Sequence, residues 1–495
     1  MKQFKIAFIL SAVILIVLVG FLVLERRSNE TGRTQAALLM YCAAGVKPPV
    51  EKVAGDYRNE YGVEINLQYG GSGTLLSNIR VAQKGDLFLA ADESYISIAR
   101  EQGLVLESIP LAKMRPVVAV RGDRDLRIEA IEDLLRSDLR VAIANPDAAS
   151  IGRTTKRVFQ EAGFWEALEK KVVVFKPTVT DVANDIRVGS VDAGIIWDAT
   201  ANQYPEIKSF RLPRFDRYQE TVSAGVLRSS DAPTDALTFL RFLGARNRGL
   251  ERFKEIGYSP VQGDIWEKRP NILLYSGGVN RLAIEETINQ FEQREGVEVT
   301  RIYNGCGILV SQMKAGGRPD AYFACDLSFM NEVDSLFEGS VVISQTPMVI
   351  LVKKGNPKGI AELRSLAAGG LKLGIANHEQ SALGALTKRL LEELGIWEDV
   401  LKNVRSQTPT ADLLVNQIRT GSLDAVIVYE ANTGNVKNDL DILQIDHPMA
   451  QAIQPFAVGK EGNHKYLTER LLAAIISEDS KGKFEATGFN WRFEK

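Results

Sequence analysis

Hydrophobic positions along this chain follow two alternating periods. Short apolar runs at Ala37 to Tyr41, Val63 to Tyr69 and Leu87 to Ala90 read as strands. Between them, Pro48 to Tyr61 and Thr74 to Gln83 place apolar residues at helical spacing. Pro48 and Pro49 suit a first helical turn, where a missing N–H costs nothing. Further strands are predicted at Val117 to Val120, Val141 to Ala144, Val172 to Phe175 and Gly194 to Trp197, with a helix over Arg153 to Phe159. Strands separated by helices of this length predict an α/β fold with parallel sheets and helices on both faces.

The pattern then runs again from Asn271, and the residues repeat with it. Tyr69-Gly70-Gly71-Ser72-Gly73 answers to Tyr303-Asn304-Gly305-Cys306-Gly307, and Ile143-Ala144-Asn145 to Ile375-Ala376-Asn377. Gly163-Phe164-Trp165 answers to Gly395-Ile396-Trp397, and Arg187 to Ala193 to Arg419 to Ala425. A period this long means a duplicated domain rather than a solenoid. A chain of 495 residues divides naturally into two such cores. The expected organisation is a membrane anchor or signal at 1–27, a linker at 28–36, and two domains at 37–268 and 269–495. The joint falls in Gly263 to Pro270.

Ile6 to Leu24 is a run of 19 residues broken only by Ser11 and Gly20. At about 1.5 Å per helical residue it matches the hydrocarbon thickness of a bilayer. Glu25-Arg26-Arg27-Ser28-Asn29 follows, with no small-residue cleavage pattern, so an uncleaved anchor is expected, with both domains on the extracytoplasmic side. Basic residues on both flanks leave the orientation weakly specified.

Net charge is −2, from 60 basic and 62 acidic residues, which leaves no electrostatic footprint for nucleic acid. Cys42, Cys306 and Cys325 form no CxxC pair and no even framework, so neither structural zinc nor a disulfide scaffold is expected. His378, His447 and His464 are widely spaced. No cofactor is expected.

In open α/β sheets, ligands sit beyond the carboxyl ends of strands. Four loops recur there in each half. In the first half they are Ala43-Ala44-Gly45, Gly70 to Gly73, Asn145 to Gly152, and Thr178 to Val182. Small residues let backbone N–H groups approach a ligand, and helix N-termini add unpaired donors with partial positive charge. Several such termini converging make an anion site without any cation. The glycine loop lacks the closing Gly-Lys-Ser/Thr of a phosphate loop and the spacing of a dinucleotide fingerprint.

Tyr41 to Gly45, the Tyr69 to Leu75 loop, Asp86 to Asp92, Ala144-Asn145-Pro146 and Gly194 to Trp197 resemble the periplasmic molybdate- and tungstate-binding proteins of ABC importers. The resemblance covers most of both halves. It implies two type II periplasmic-binding units, each with two lobes joined by crossing strands and a ligand cleft between them. In the first half the lobes would be 37–115 with 200–268, and 116–199. It also implies importer membrane subunits as partners. A tetrahedral oxyanion would be held by hydroxyl and backbone donors, and metal would enter only within that anion. The family's first-loop serine falls at Gly45, beside Ala44, so a hydroxyl is lost there. Its glycine-loop serine falls at Ser72, its backbone donors at Ile151, beside Ser150, and at Val182, and its tyrosine at Trp197. In the second half the positions are Gly278 or Val279, Cys306, Leu383 beside Ala382, Leu414, and Tyr429. Asp147, Asp198, Glu379 and Glu430 are carboxylates near the two sites that would repel a dianion unless they accept a ligand proton.

The reading that follows is a solute-binding protein rather than an enzyme. A sensor or adaptor with a separate signalling partner is the alternative. A catalytic pairing of Cys306 or Cys325 with His378 has no duplicate in the first half, where Ser72, Ala91 and Pro146 stand. The anchor has a direct test. Fractionation of the full chain is expected to leave it intact in the membrane, and recovery of unprocessed protein in the soluble periplasmic fraction would count against anchoring.

Overall fold

The computed structural model describes residues 37–494. The expected anchor and linker lie outside those residues; among the described residues no helix is long and apolar enough to cross a membrane. The described residues form two compact units. One comprises residues up to Ala91 with Pro116–Arg214 and Leu227–Ala232; the other comprises Asp92–Arg115, Phe215–Val226 and Pro233 onward. This partition does not follow the repeat, because strands and helices of the first half contribute to both units.

In the first unit, the strand Leu38–Ala43 pairs in parallel with Ile65–Gly70 and with Leu87–Ala90. A second sheet runs in the order Val172–Lys176, Val141–Ala144, Ala193–Trp197, Pro116–Arg121, Ile207–Phe210. Its first three strands are parallel, but Pro116–Arg121 is antiparallel to both its neighbours. The sheets are therefore mixed, not wholly parallel as the alternation of strands and helices predicts.

The second unit shows why. The strand Phe337–Lys353 is 17 residues long and serves two groups of partners. Its first part pairs antiparallel with Gln451–Gly459, whose other neighbour, Ala321–Phe323, belongs to the parallel set Glu298–Asn304, Asn271–Gly277, Ala321–Phe323. Its second part pairs antiparallel with Ala425–Tyr429 and Leu440–Gln444. One strand crossing between two groups enters the second against the direction of the strands already there. Register shifts between Phe337 and Ser340 and between Val342 and Ser344 bend it on the way. In the first half the corresponding stretch is divided at Arg115 into Val105–Met114 and Pro116–Arg121.

The repeated residues secure the strand starts. Asp86 Oδ2 accepts from Leu39 N–H at 2.8 Å, and Asp320 Oδ2 accepts from Leu273 N–H at 2.8 Å. Asp192 Oδ2 accepts from Arg140 N–H at 2.9 Å, and Asp424 Oδ2 from Lys372 N–H at 3.0 Å. Each carboxylate satisfies a backbone donor where a strand begins, so the same aspartates recur in both halves. Helix ends recur as well: Lys47–Tyr61 stops at Gly62 (φ 74°) and Arg281–Glu295 at Gly296 (φ 66°), a left-handed backbone that glycine adopts without penalty.

Near the predicted joint, Asp264 accepts from Tyr466 N–H at 2.9 Å and from Leu467 N–H at 3.0 Å, capping the helix Lys465–Ile475. Glu295 is buried and pairs with Arg241 at 3.1 Å and Arg470 at 2.7 Å. Burial pushes its carboxyl up, and the two guanidiniums more than offset this and hold it below the usual range. Elements on both sides of the joint are thus bonded within this one unit.

Candidate functional site

Three helices of the first unit begin at one place. Ser72–Ala82, Ser150–Glu161 and Val179–Val188 each follow a strand, and each is preceded by a residue in extended conformation that turns the chain into the helix. Their first residues line a cavity together with Ala43, Ala44, Gly45, Gly70, Gly71, Ala91, Ala149, Thr178 and Trp197. The cavity volume is ≈ 10 Å³, the room of about one water. No charged side chain lines it.

The loops are held locally. Asn145 Oδ1 accepts from Asp147 N–H at 2.9 Å, an Asx turn that shapes the stretch before Ser150. Thr178 Oγ1 accepts from Asp181 N–H at 3.1 Å and caps the third helix. Ser72 Oγ accepts from Ala91 N–H at 3.1 Å, which fixes its rotamer. The cleft is shut by backbone: Gly73 N–H donates to Ala148 O at 2.9 Å. A Cβ on Gly71 would collide with Ala148 O and stand 2.7 Å from Pro177 O, and one on Gly73 would collide with Asp147 O.

Of the residues expected in the first site, Ala44, Gly45, Ser72, Ser150, Ile151 and Trp197 line this cavity. Val182 does not; it is fully buried, and its N–H points to Thr178 O at 3.4 Å inside the helix. Thr178 and Val179 stand at the lining instead, because the helix begins three residues before Val182. Thr200 is not among the residues expected there. Its buried Oγ1 has no hydrogen-bond partner and stands 3.6 Å from where a Cβ on Gly45 would be. The sequence signal was faint: a threonine three residues past Trp197, in a helix of only four residues.

The second half repeats the scaffold with other side chains. Cys306 opens the helix Cys306–Lys314, and its Sγ accepts from Cys325 N–H at 3.1 Å, as Ser72 Oγ does from Ala91. Gly307 N–H donates to Gln380 O at 3.1 Å, and a Cβ on Gly305 would collide with Gln380 O. Asn377 Oδ1 accepts from Glu379 and Gln380 N–H groups, matching Asn145. Ala382 and Leu383 start the helix Ala382–Glu393, while Leu414 lies within Ala411–Arg419; all three are buried. Gly278 faces Thr410 Cγ2 at 3.7 Å from its notional Cβ, and Val279 is buried beside it. The Tyr429 hydroxyl is buried without a partner. Burial, then the neighbouring Cys325, Asp326 and Cys306, push this phenol well above its ordinary value, so it keeps its proton and is a donor.

The four carboxylates divide into two kinds. Asp147 and Glu379 are exposed. Asp198 and Glu430 are half-buried, Asp198 accepting from Ala199 N–H at 2.8 Å and Glu430 from Gln444 at 3.5 Å. His378 packs edge-on against Trp397 with ring centroids 6.0 Å apart. Among the described residues no group of three or more His, Cys, Asp or Glu is arranged to hold a metal ion.

Residues 38–259 and 272–490 each match the family model described as bacterial extracellular solute-binding protein. A Haemophilus influenzae protein named as a binding protein is 30% identical over 233 residues, covering 47% of this chain and 95% of its own length. The molybdate-binding protein ModA of Rhodobacter capsulatus is 24% identical over 218 residues, covering 44% of this chain and 85% of its own. Among solved structures, the periplasmic molybdate-binding protein of Azotobacter vinelandii is 19% identical, covers 46% of this chain and all of its own, and has a TM-score of 0.41. The sulfate-binding protein of Mycobacterium tuberculosis is 17% identical, covers 45% and 86%, and has a TM-score of 0.40.

The glycine contacts make a prediction. Gly71→Ala is expected to hold the two loops apart and break the Gly73–Ala148 hydrogen bond. Amide hydrogen exchange at Gly73 should quicken while the strand Leu38–Ala43 keeps its protection; unchanged exchange at Gly73 would mean that the loops do not close as described.

Proposed function

The chain belongs to the bacterial extracellular solute-binding protein family, and on that premise we propose that its first half captures a fully deprotonated tetrahedral oxyanion, molybdate or tungstate in kind, for delivery to an ABC-type importer. The observation that carries this reading is the convergence of three helix N-termini and Ser72 on a small cavity with no charged lining. Partial positive charge from the helices and oriented N–H groups stabilise a dianion without a cation. The relatives named for molybdate support the same ligand class.

The donors fit that ligand. Ser72 Oγ already accepts from Ala91, which directs its own proton elsewhere. Trp197 offers an indole N–H and no acceptor. The Thr200 hydroxyl takes the part of the serine that Gly45 replaces; a side chain on Gly45 would stand 2.8 Å from Val179 Cγ1. Room for one water is too little for an oxyanion, so the loops part to admit it and close over it. The carboxylates nearest the site, Asp147 and Asp198, are absent from the lining, so a protonated anion finds no carboxylate acceptor there. Domain boundaries at 37–268 and 269–495, an N-terminal anchor and an extracytoplasmic location complete the proposal.

Calorimetry on the protein tests it. Ser72→Ala is expected to weaken molybdate binding by about 1.5–3 kcal/mol, the range for a hydrogen bond to a charged group. Thr200→Val should weaken it as well and Thr200→Ser should not. Unchanged affinity in both deletions would remove these hydroxyls from the site, and phosphate binding as tightly as molybdate would reject the donor-only account.

The two clefts are also expected to differ, the second binding more weakly or taking another ligand. A thiol at Cys306 donates poorly where Ser72 donates well, at a cost on the order of 1 kcal/mol, and the Tyr429 phenol offsets part of it. Titrating the two halves separately with molybdate and tungstate decides this; equal dissociation constants would overturn it.

A further inference from the structure

The two cysteines of the second half stand together in the folded chain although 18 residues separate them. Cys306 is the first residue of the helix Cys306–Lys314, and Cys325 follows the strand Ala321–Phe323. Their Sγ atoms are 2.7 Å apart, closer than unbonded sulfurs rest against each other. Both are buried, and the backbone N–H of Cys325 also reaches Cys306 Sγ at 3.1 Å. Gly277 faces the pair: its notional Cβ would lie 3.1 Å from Cys306 Sγ and would collide with Cys325 Sγ, so glycine leaves the space that the two sulfurs fill. In the first half the same two positions are Ser72 and Ala91, which hold the same N–H bond but no second sulfur.

We propose that Cys306 and Cys325 form an intramolecular disulfide in the floor of the second cleft, made while the chain folds in an oxidising compartment. In the still-open chain either cysteine can start the exchange; when Cys306 does, it attacks as the thiolate. The oxidant is a small-molecule or protein disulfide. Cys306 thiolate attacks one of its sulfurs and expels the other as a thiolate, giving a mixed disulfide. Cys325 thiolate then attacks Cys306 Sγ and expels the second thiolate. The two thiol protons pass to the two leaving sulfurs, and the pair of electrons passes to the oxidant. The exchange precedes burial, because both sulfurs are closed off once the helix has packed. An extracytoplasmic location is where such a bond persists.

The bond has a consequence that rests on the proposed function. Oxidation takes away the S–H at the position of Ser72, so the oxidised second cleft keeps Tyr429 as its side-chain donor and loses the thiol. The second cleft would then bind anions differently in its two redox forms, whereas the first, with Ser72, would not.

Thiol counting on the full chain tests the bond. The protein is unfolded with reductant, refolded in a buffer of oxidised and reduced glutathione, acid-quenched, denatured and alkylated. Intact mass should show one alkylated cysteine, rising to three after reduction, and peptide mapping should join Cys306 to Cys325. The oxidised form should also melt at a higher temperature than the reduced form. Three alkylated cysteines before reduction, or a cross-link that includes Cys42, would overturn the proposal. Cys325→Ala supplies the control, since its refolded protein should show two alkylated cysteines in the same buffer. Molybdate titration of the oxidised and reduced forms examines the consequence separately: a difference supports it, identical isotherms with heat overturn it, and no heat in either form counts against the anion reading while alkylation alone decides the bond.

Discussion

Backbone meeting backbone across the cleft is the constraint on which the rest of this structure depends. In the first half Gly71 and Gly73 bring the glycine loop against the carbonyls of Asp147, Ala148 and Pro177; in the second, Gly305 and Gly307 meet those of Glu379, Gln380 and Pro409. No Cβ fits at any of the four positions. With side chains excluded, the first turns of the flanking helices themselves form the wall, and part of their N–H groups, Gly73 and Gly307 among them, bond across it to backbone carbonyls. The glycine and loop scaffold recurs in both halves while Ser72 gives way to Cys306 and Trp197 to Tyr429.

The aspartates that start the strands serve the same end. Asp86, Asp192, Asp320 and Asp424 each accept a backbone N–H from a residue about 50 positions away in the chain, so they tie strand starts together far from the cleft. Position of the helix N-termini follows from where the strands end, and where they end follows from where they are anchored. Asn145 and Asn377 then shape the loops with Asx turns of the same form. Conserving these within the repeat while varying the cleft residues leaves geometry fixed and chemistry adjustable.

The halves also differ in which hydroxyl, at or just after the end of the strands Ala193–Trp197 and Ala425–Tyr429, is buried without a partner. Thr200 Oγ1 and Tyr429 Oη lie in that condition, one in each half, at positions three residues apart in the aligned chains. Burying an unpaired hydroxyl costs on the order of 1–3 kcal/mol, and each half carries one such hydroxyl at these neighbouring positions, from a different residue.

The sequence by itself determined the duplication, the order of strands and helices, and the loops that line the cavity. These are properties of periodicity and of small residues at strand ends, which are local. That Ser72, Ser150 and Trp197 share one cavity was legible because their neighbours recur as motifs. What only the tertiary structure decided is non-local. The antiparallel course of Pro116–Arg121 and Phe337–Lys353 depends on a strand crossing between sheets, which no local period encodes. Thr178 and Val179, and not Val182 where the resemblance places a backbone donor, stand at the lining, because the helix start is set by its cap, here the Thr178 hydroxyl. Thr200 and the neighbouring sulfurs of Cys306 and Cys325 emerged only on folding, since each belongs to its place through contacts with residues distant in the chain.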